Sequence, residues 1–252
     1  MQLYGVENTK VFELTLFALI PAAGAGTRLR GEVPKQYLPL AGKPMLWHAV
    51  KSVCVPPIEN VFVVLAPEDR EFARHDWGAF GGRVEPLYCG GATRRDSVYN
   101  GMVATMAAVD ADDWLLVHDA ARPCLPRADL EKLIRETGDD RAGGILALPA
   151  ADTVKRAVKV ETRSDEAAHF RVAGTEDRNQ LWLAQTPQMF RFGLLMEALK
   201  KAKDAVTDEA GAIEQLGLRP RLVAGSRENI KVTYAEDLKM AEDILENRQR
   251  RS

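Results

Sequence analysis

Cysteine is scarce in this sequence. Cys54, Cys89 and Cys124 are an odd number at wide spacing, which excludes a disulfide framework and a paired-thiolate metal site and favours a reducing compartment. Histidine is equally sparse, with four scattered residues, so no imidazole-based metal centre is indicated. Neither charge is in surplus: 34 Lys plus Arg stand against 36 Asp plus Glu, a net of −2. A general nucleic-acid binder would carry a basic excess, so that class is disfavoured. No membrane span is expected either, because the mostly apolar run 11–20 is interrupted by Glu13 and falls well short of the roughly 18 residues required. That run empties into Pro21-Ala22-Ala23-Gly24-Ala25-Gly26 and imitates a secretory leader, but Glu7 sits where a basic leader segment should be. A buried strand opening into a glycine loop explains it better. The expectation is a cytoplasmic protein whose residues 1–12 form a loose tail.

What is present is the composition of a folded protein, with 46% hydrophobic and 28% charged residues among 252. Short apolar runs alternate with stretches of helical periodicity, the mark of an α/β fold with a mostly parallel sheet. Strands are expected at 14–20, 60–66, 83–88, 114–118, 144–148 and 221–223, and helices at 45–53, 96–109, 127–136, 194–203, 209–216 and 235–246. The whole of 1–252 reads as one domain, with one excursion. Within 151–178, two strand-like pieces, 153–160 and 169–173, flank the polar stretch 162–167 and carry Lys155, Arg156, Lys159 and Arg171. Such pieces offer little to a monomer's core. The composition suits a projecting hairpin that packs on a partner subunit and suits a surface excursion equally.

Three loops carry the chemistry. The first, Pro21 to Arg28 followed by Pro34-Lys35-Gln36-Tyr37, leaves a buried strand at the edge where open α/β sheets bind ligands. Small residues there let backbone N–H groups ring an anion, and Arg28 and Lys35 add two cations. The spacing matches neither the Walker loop nor G-x-G-x-x-G. The second loop, Gly90-Gly91-Ala92-Thr93-Arg94-Arg95-Asp96-Ser97, follows the third strand and opens on the same edge; Ser97 is either a helix cap or a hydroxyl facing a ligand. The third is Val117-His118-Asp119-Ala120-Ala121-Arg122-Pro123. Asp119 there can accept from substrate hydroxyls, help place Mg²⁺, or simply pair with Arg122, while His118 reads as a packed structural residue. Two later clusters, 177–188 and 228–233, look like polar loops when taken alone.

Together, Pro21-Ala22-Ala23-Gly24-x-Gly26-x-Arg28, Pro34-Lys35-Gln36-Tyr37, Val117 to Pro123, Asp177-Arg178, Thr207-Asp208-Glu209 and Asn229-Ile230-Lys231-Val232-Thr233 strongly resemble the 2-C-methyl-D-erythritol 4-phosphate cytidylyltransferase family. The resemblance runs in order from about Leu16 to about Leu245. It implies a Rossmann-like nucleotidyltransferase sheet with a protruding β-arm, 151–178, that makes a homodimer. It also implies an enzyme that transfers a cytidylyl group from CTP to methylerythritol phosphate, with Mg²⁺ bound mainly through the CTP phosphates and no dedicated protein metal site. By the same resemblance, Ala22, Ala23, Gly24, Gly91, Ser97 and Lys231 hold the nucleotide, and Arg28 and Lys35 stabilise the reacting α-phosphate. Asp119, Arg122, Thr186, Thr207 and Lys231 line the acceptor side, and Thr153 and Arg178 reach the neighbouring subunit's substrate.

Two features depart from the family pattern. Ala92 stands where an acidic or polar residue is expected, and the arm's turn at 162–168 is long. The rival readings are a cytidylyltransferase for a pentitol phosphate such as ribitol 5-phosphate, a sugar-1-phosphate nucleotidyltransferase, and a non-catalytic nucleotide-binding protein. The run from His118 to Pro123 argues against the second, and the full set of cations with Asp119 against the third.

Overall fold

The apolar run after Thr15 forms β1 (Leu16–Pro21), buried on both faces and flanked by a strand on either side within the sheet. The structure, a computed structural model, describes residues 15–24, 33–160, 169–203 and 206–250. The expected tail 1–12, Arg28 with its loop neighbours Ala25 and Gly26, and the turn 162–168 lie outside the described residues.

After β1 come the short strands β2 (Pro39–Leu40) and β3 (Lys43–Pro44), helix α1 (Met45–Val53), β4 (Ile58–Val64) and β5 (Val84–Leu87). Next are α2 (Arg94–Thr105), β6 (Trp114–Val117), α3 (Arg127–Thr137) and β7 (Gly144–Pro149). β8 (Lys155–Val160), β9 (His169–Thr175), β10 (Trp182–Arg191), α4 (Phe192–Lys201), α5 (Glu209–Gln215), β11 (Arg221–Ala224) and α6 (Ala235–Gln249) complete the described elements. Seven strands form one sheet in the order β11-β7-β10-β6-β1-β4-β5. All neighbours are parallel except β10, which runs antiparallel to both β6 and β7.

The strand period of two sorts the core into two layers. Ala18, Ile20, Val61, Val63 and Leu116 face one side, with α1 and α3 supplying Leu46, Val50, Leu130 and Leu133. Leu19, Phe62, Val64, Leu115 and Val117 face the other, against Val98 and Met102 of α2 and Leu195 of α4. Helices on both faces explain why the central strands read as continuous apolar runs rather than alternating ones.

The strand β10 corrects the sequence reading of 177–188 as a polar loop. Gln185, Thr186 and Gln188 are polar yet buried, and each is satisfied by bonds to the loops around it, so their polarity hid a central strand. Pro187 has no N–H to give the ladder, and the β10–β7 register shifts between Ala184 and Gln188. Helix α2 begins two residues before the expected 96 because Thr93 caps it. The pieces 153–160 and 169–173 become β8 and β9, an antiparallel pair outside the main sheet. It leaves Val158, Phe170 and Val172 exposed.

Parallel strands bring their C-terminal ends to one edge. Residues 22–24 after β1, Gly90 and Gly91 after β5, and His118 and Asp119 after β6 therefore meet there. The first two loops touch so closely that a side chain at Gly90 would lie 2.2 Å from Ala23 Cβ and 2.8 Å from the Leu65 carbonyl. Only glycine fits that approach.

Candidate active site

A cleft of about 330 Å³ opens at this edge, bordered by the 21–24 segment, Lys35, Gln36, 91–94, Ser97, 119–121 and Lys231. Its floor is the loop after β1. The Ala22 N–H donates to the Val64 carbonyl (2.8 Å), and buried Gln36 donates through Nε2 to the Ala22 carbonyl (2.7 Å). Lys35 begins a 3-10 turn, Lys35–Tyr37, set by Pro34. Gln36 and Tyr37 anchor that turn inward, Tyr37 through its hydroxyl to Asp69 Oδ2 (2.8 Å). The Lys35 ammonium is thereby held at the cleft, where it donates to the Val232 carbonyl.

Thr93 caps α2 and forms a reciprocal box with Asp96. The Asp96 N–H donates to Thr93 Oγ1, and the Thr93 N–H to Asp96 Oδ2, both at 3.1 Å. Ser97 is thus not the cap. Its buried hydroxyl donates to the Thr93 carbonyl (3.0 Å) and accepts from the Gly91 N–H (3.1 Å), so it ties the glycine loop to the helix while bordering the cleft. Ala92 lines the cleft with no polar side chain to offer.

At the same edge a charge cluster forms around the buried Asp119. Asp119 Oδ1 accepts from Arg94 Nε at 2.9 Å, and Oδ2 lies 2.8 Å from Lys231 Nζ and 3.9 Å from Arg122 Nε. Burial alone would raise the Asp119 pKa, but Arg94, Lys231 and Arg122 outweigh it and hold the carboxyl well below the usual carboxylate range. Arg94 also grips Glu209 with both terminal nitrogens, at 2.7 and 3.0 Å. Glu209, the first residue of α5, is 1% exposed. The two carboxylates outweigh burial and raise the Arg94 pKa above its ordinary value.

Beneath Asp119 runs a neutral relay. The Asp119 N–H donates to Thr186 Oγ1 (3.0 Å), which lies 3.1 Å from His118 Nδ1, while His118 Nε2 lies 3.0 Å from the Arg122 carbonyl. A carbonyl only accepts, so these contacts assign the proton to Nε2 and leave Nδ1 to accept from the threonine hydroxyl. Burial, only partly offset by these bonds, lowers the His118 pKa from 6.5 to about 4. An unfolded chain takes up this proton near pH 6.5 and the folded one only near 4, so stability present above 6.5 is lost as pH falls toward 4. Urea unfolding across that window should show a loss on the order of 3 kcal/mol that a His118→Gln variant lacks. Equal pH slopes in the two proteins would contradict the neutral relay.

The cleft gathers Ala22, Ala23, Gly24, Lys35, Gly91, Ser97, Asp119 and Lys231. The other expected site residues lie elsewhere. Arg122 packs behind Asp119, donating to the Asn229 carbonyl (2.6 Å), and Thr186 is buried in the relay. Thr207 is exposed just ahead of α5, and Thr153 and Arg178 are exposed beside the β8–β9 pair. Arg178 donates to the Ala151 carbonyl (2.7 Å). Arg28 lies outside the described residues. Sequence reasoning gave no role to Arg94, Glu209 or Gln36. Arg94 and Glu209 fall inside segments quoted for other reasons, and nothing local ties residues so far apart in sequence to each other.

The profile of the 2-C-methyl-D-erythritol 4-phosphate cytidylyltransferase family matches residues 16–247. A curated relative of that name from an Azoarcus species is 54% identical over 233 residues, covering 92% of this chain and 94% of the relative. One from Nitrosomonas eutropha is 53% identical over 234 residues, 92% and 97%. Among solved structures, a 4-diphosphocytidyl-2C-methyl-D-erythritol synthase superposes with a TM-score of 0.78 at 38% identity, covering 92% of this chain and 99% of that one.

Proposed function

The chain belongs to the 2-C-methyl-D-erythritol 4-phosphate cytidylyltransferase family, and on that premise we infer what its cleft does. The protein is a CTP-dependent nucleotidyltransferase. It transfers the cytidylyl group of CTP to 2-C-methyl-D-erythritol 4-phosphate, giving 4-diphosphocytidyl-2-C-methyl-D-erythritol and pyrophosphate for isoprenoid biosynthesis. The observation that carries this reading is the family match across nearly the whole chain, and it does not favour a pentitol phosphate as acceptor.

In this reaction an oxygen of the acceptor phosphate attacks the α-phosphorus. One P–O bond forms, the bond to the bridging oxygen breaks, and pyrophosphate leaves with the electron pair. The attacking oxygen is already anionic at neutral pH, since the second phosphate pKa is about 6, so no general base is needed. The difficulty is bringing two polyanions together, and fixed cations and amides do that. We assign the nucleotide to the side formed by Ala22, Ala23, Gly24, Gly91 and Ser97, and the reacting phosphate to Lys35 together with Arg28. The acceptor takes the side of Asp119 and Lys231, where one carboxylate faces hydroxyls and one ammonium faces phosphate. Arg122 and Thr186 support that side from behind, Thr207 borders it, and Thr153 and Arg178 would serve the neighbouring subunit's acceptor.

The donor set fits Mg²⁺ carried by the nucleotide. Among the described residues no cluster of three metal-ligating side chains exists, and Asp119 is the one carboxylate on the cleft wall. Mg²⁺ commonly keeps its waters and binds through substrate phosphates, and both Asp119 oxygens are already engaged by Arg94 and Lys231, so the nucleotide phosphates would hold the ion. When bound, the ion would neutralise phosphate charge. We also propose a homodimer that covers the exposed Val158, Phe170 and Val172 of β8 and β9, and a cytoplasmic location, which the three free cysteines suit. Among the described residues no helix is long and apolar enough to cross a membrane.

Pyrophosphate release with CTP and Mg²⁺ tests the reading against three acceptors. Strong turnover is expected with methylerythritol 4-phosphate and little with ribitol 5-phosphate or glucose 1-phosphate. Turnover with another acceptor alone would overturn the substrate, and silence with all three would overturn the activity.

A further inference from the structure

We propose that Arg94 and Glu209 form one positioning unit that presents Asp119 to the acceptor substrate and locks the start of α5 to it. This rests on the acceptor side assigned above. Arg94 spends its whole guanidinium edge on carboxylates: Nε on Asp119 Oδ1 at 2.9 Å, and Nη1 and Nη2 on the two oxygens of Glu209 at 2.7 and 3.0 Å. Such a two-point fork fixes the plane of the guanidinium as well as its distance. Because Arg94 claims Oδ1, the Asp119 carboxylate cannot rotate freely, and Oδ2 is left toward Lys231. Glu209, itself buried, in turn balances a partly buried cation that would otherwise face Asp119 alone.

The anchoring continues behind the pair. Gln188 of β10 donates through Nε2 to Asp208 Oδ2 (2.9 Å) and accepts through Oε1 from the Ala210 N–H (2.8 Å). The residues on either side of Glu209 are thereby bonded to a central strand. The nucleotide side is fixed independently, since the Thr93–Asp96 box and the Ser97 hydroxyl hold the 91–97 loop without the Arg94 side chain.

That independence gives the test. Glu209→Gln keeps shape and one acceptor but loses the charge, while Arg94→Lys keeps the charge and loses the fork. Both are assayed for pyrophosphate release with each substrate varied, beside the unmodified protein, and their melting is followed. A positioning unit predicts that each variant raises KM for methylerythritol 4-phosphate at least ~5-fold or lowers kcat by a similar factor, with KM for CTP within about twofold. The double variant should be no worse than the poorer single one. Unchanged kinetics, equal damage to both substrates, full activity in Arg94→Lys, or loss of folding in both single variants would each overturn the proposal. Turnover by the unmodified protein reports separately on the function it rests on.

Discussion

Lys35→Ala is expected to lower kcat by at least ~10²-fold while the protein stays folded. Removing one fixed donor to a developing oxyanion typically costs about that much, and here charge stabilisation carries the chemistry because no general base is needed. The fold should survive because Lys35 contributes little to the core. Its turn is held by the Tyr37 N–H bond to the Pro34 carbonyl (2.9 Å) and by the inward side chains of Gln36 and Tyr37. The Lys35 ammonium reaches the Val232 carbonyl, next to Lys231, so it stands where the two substrates would meet. Steady-state turnover together with a melting curve checks this. Near-normal kcat in a folded variant would remove Lys35 from the reacting phosphate. Arg28→Ala carries the same expectation on the strength of its place in the first loop.

The second large effect belongs to Asp119. Asp119→Ala would leave Lys231 and Arg122 without their carboxylate and Arg94 with Glu209 alone. Lys231 can turn to solvent and Arg94 keeps Glu209, so the penalty falls mainly on buried Arg122 and on the emptied site, and denaturant unfolding should show a loss of about 1–3 kcal/mol. Asp119→Asn preserves the shape and should separate folding from function. It keeps more of the stability yet loses at least ~10²-fold in kcat/KM for the acceptor, because an amide cannot replace the acceptor-only carboxylate that orders three cations. The pH dependence runs the same way. The folded carboxyl is held below its ordinary value, so its stabilisation is present above pH ~4 and is lost as the medium becomes more acidic. A stable, active Asp119→Ala would contradict both arguments.

The parts of the site legible in the sequence are those whose chemistry is local. Small residues at a strand end, a proline fixing the residue before a lysine, and an aspartate just past an apolar strand each have a physical reason visible within ten residues. β10 was hidden because burial was achieved by hydrogen bonding rather than by apolar side chains. Gln185, Thr186 and Gln188 each meet a loop partner that is itself distant in sequence, so neither alternation nor an apolar run announced the strand. Arg94 and Glu209 were hidden for the same reason. A charged residue at a helix start is ordinary, and only the meeting of the first residues of α2 and α5 makes theirs a pair. Of the two readings of Ser97, Thr93 removes the first by supplying the cap, and the serine is left to hold Gly91 at the border of the cleft.

One cleft, with Lys35 between a nucleotide side and an acceptor side, is proposed to perform the transfer. A crystal structure with CTP bound tests it most directly. The expected complex has the cytosine and ribose against 22–24, Gly91 and Ser97, the α-phosphate within hydrogen-bonding reach of the Lys35 ammonium, and open space between it and Asp119 and Lys231. A nucleotide whose base lies against Asp119 and Lys231, or whose phosphates lie away from Lys35, would contradict it.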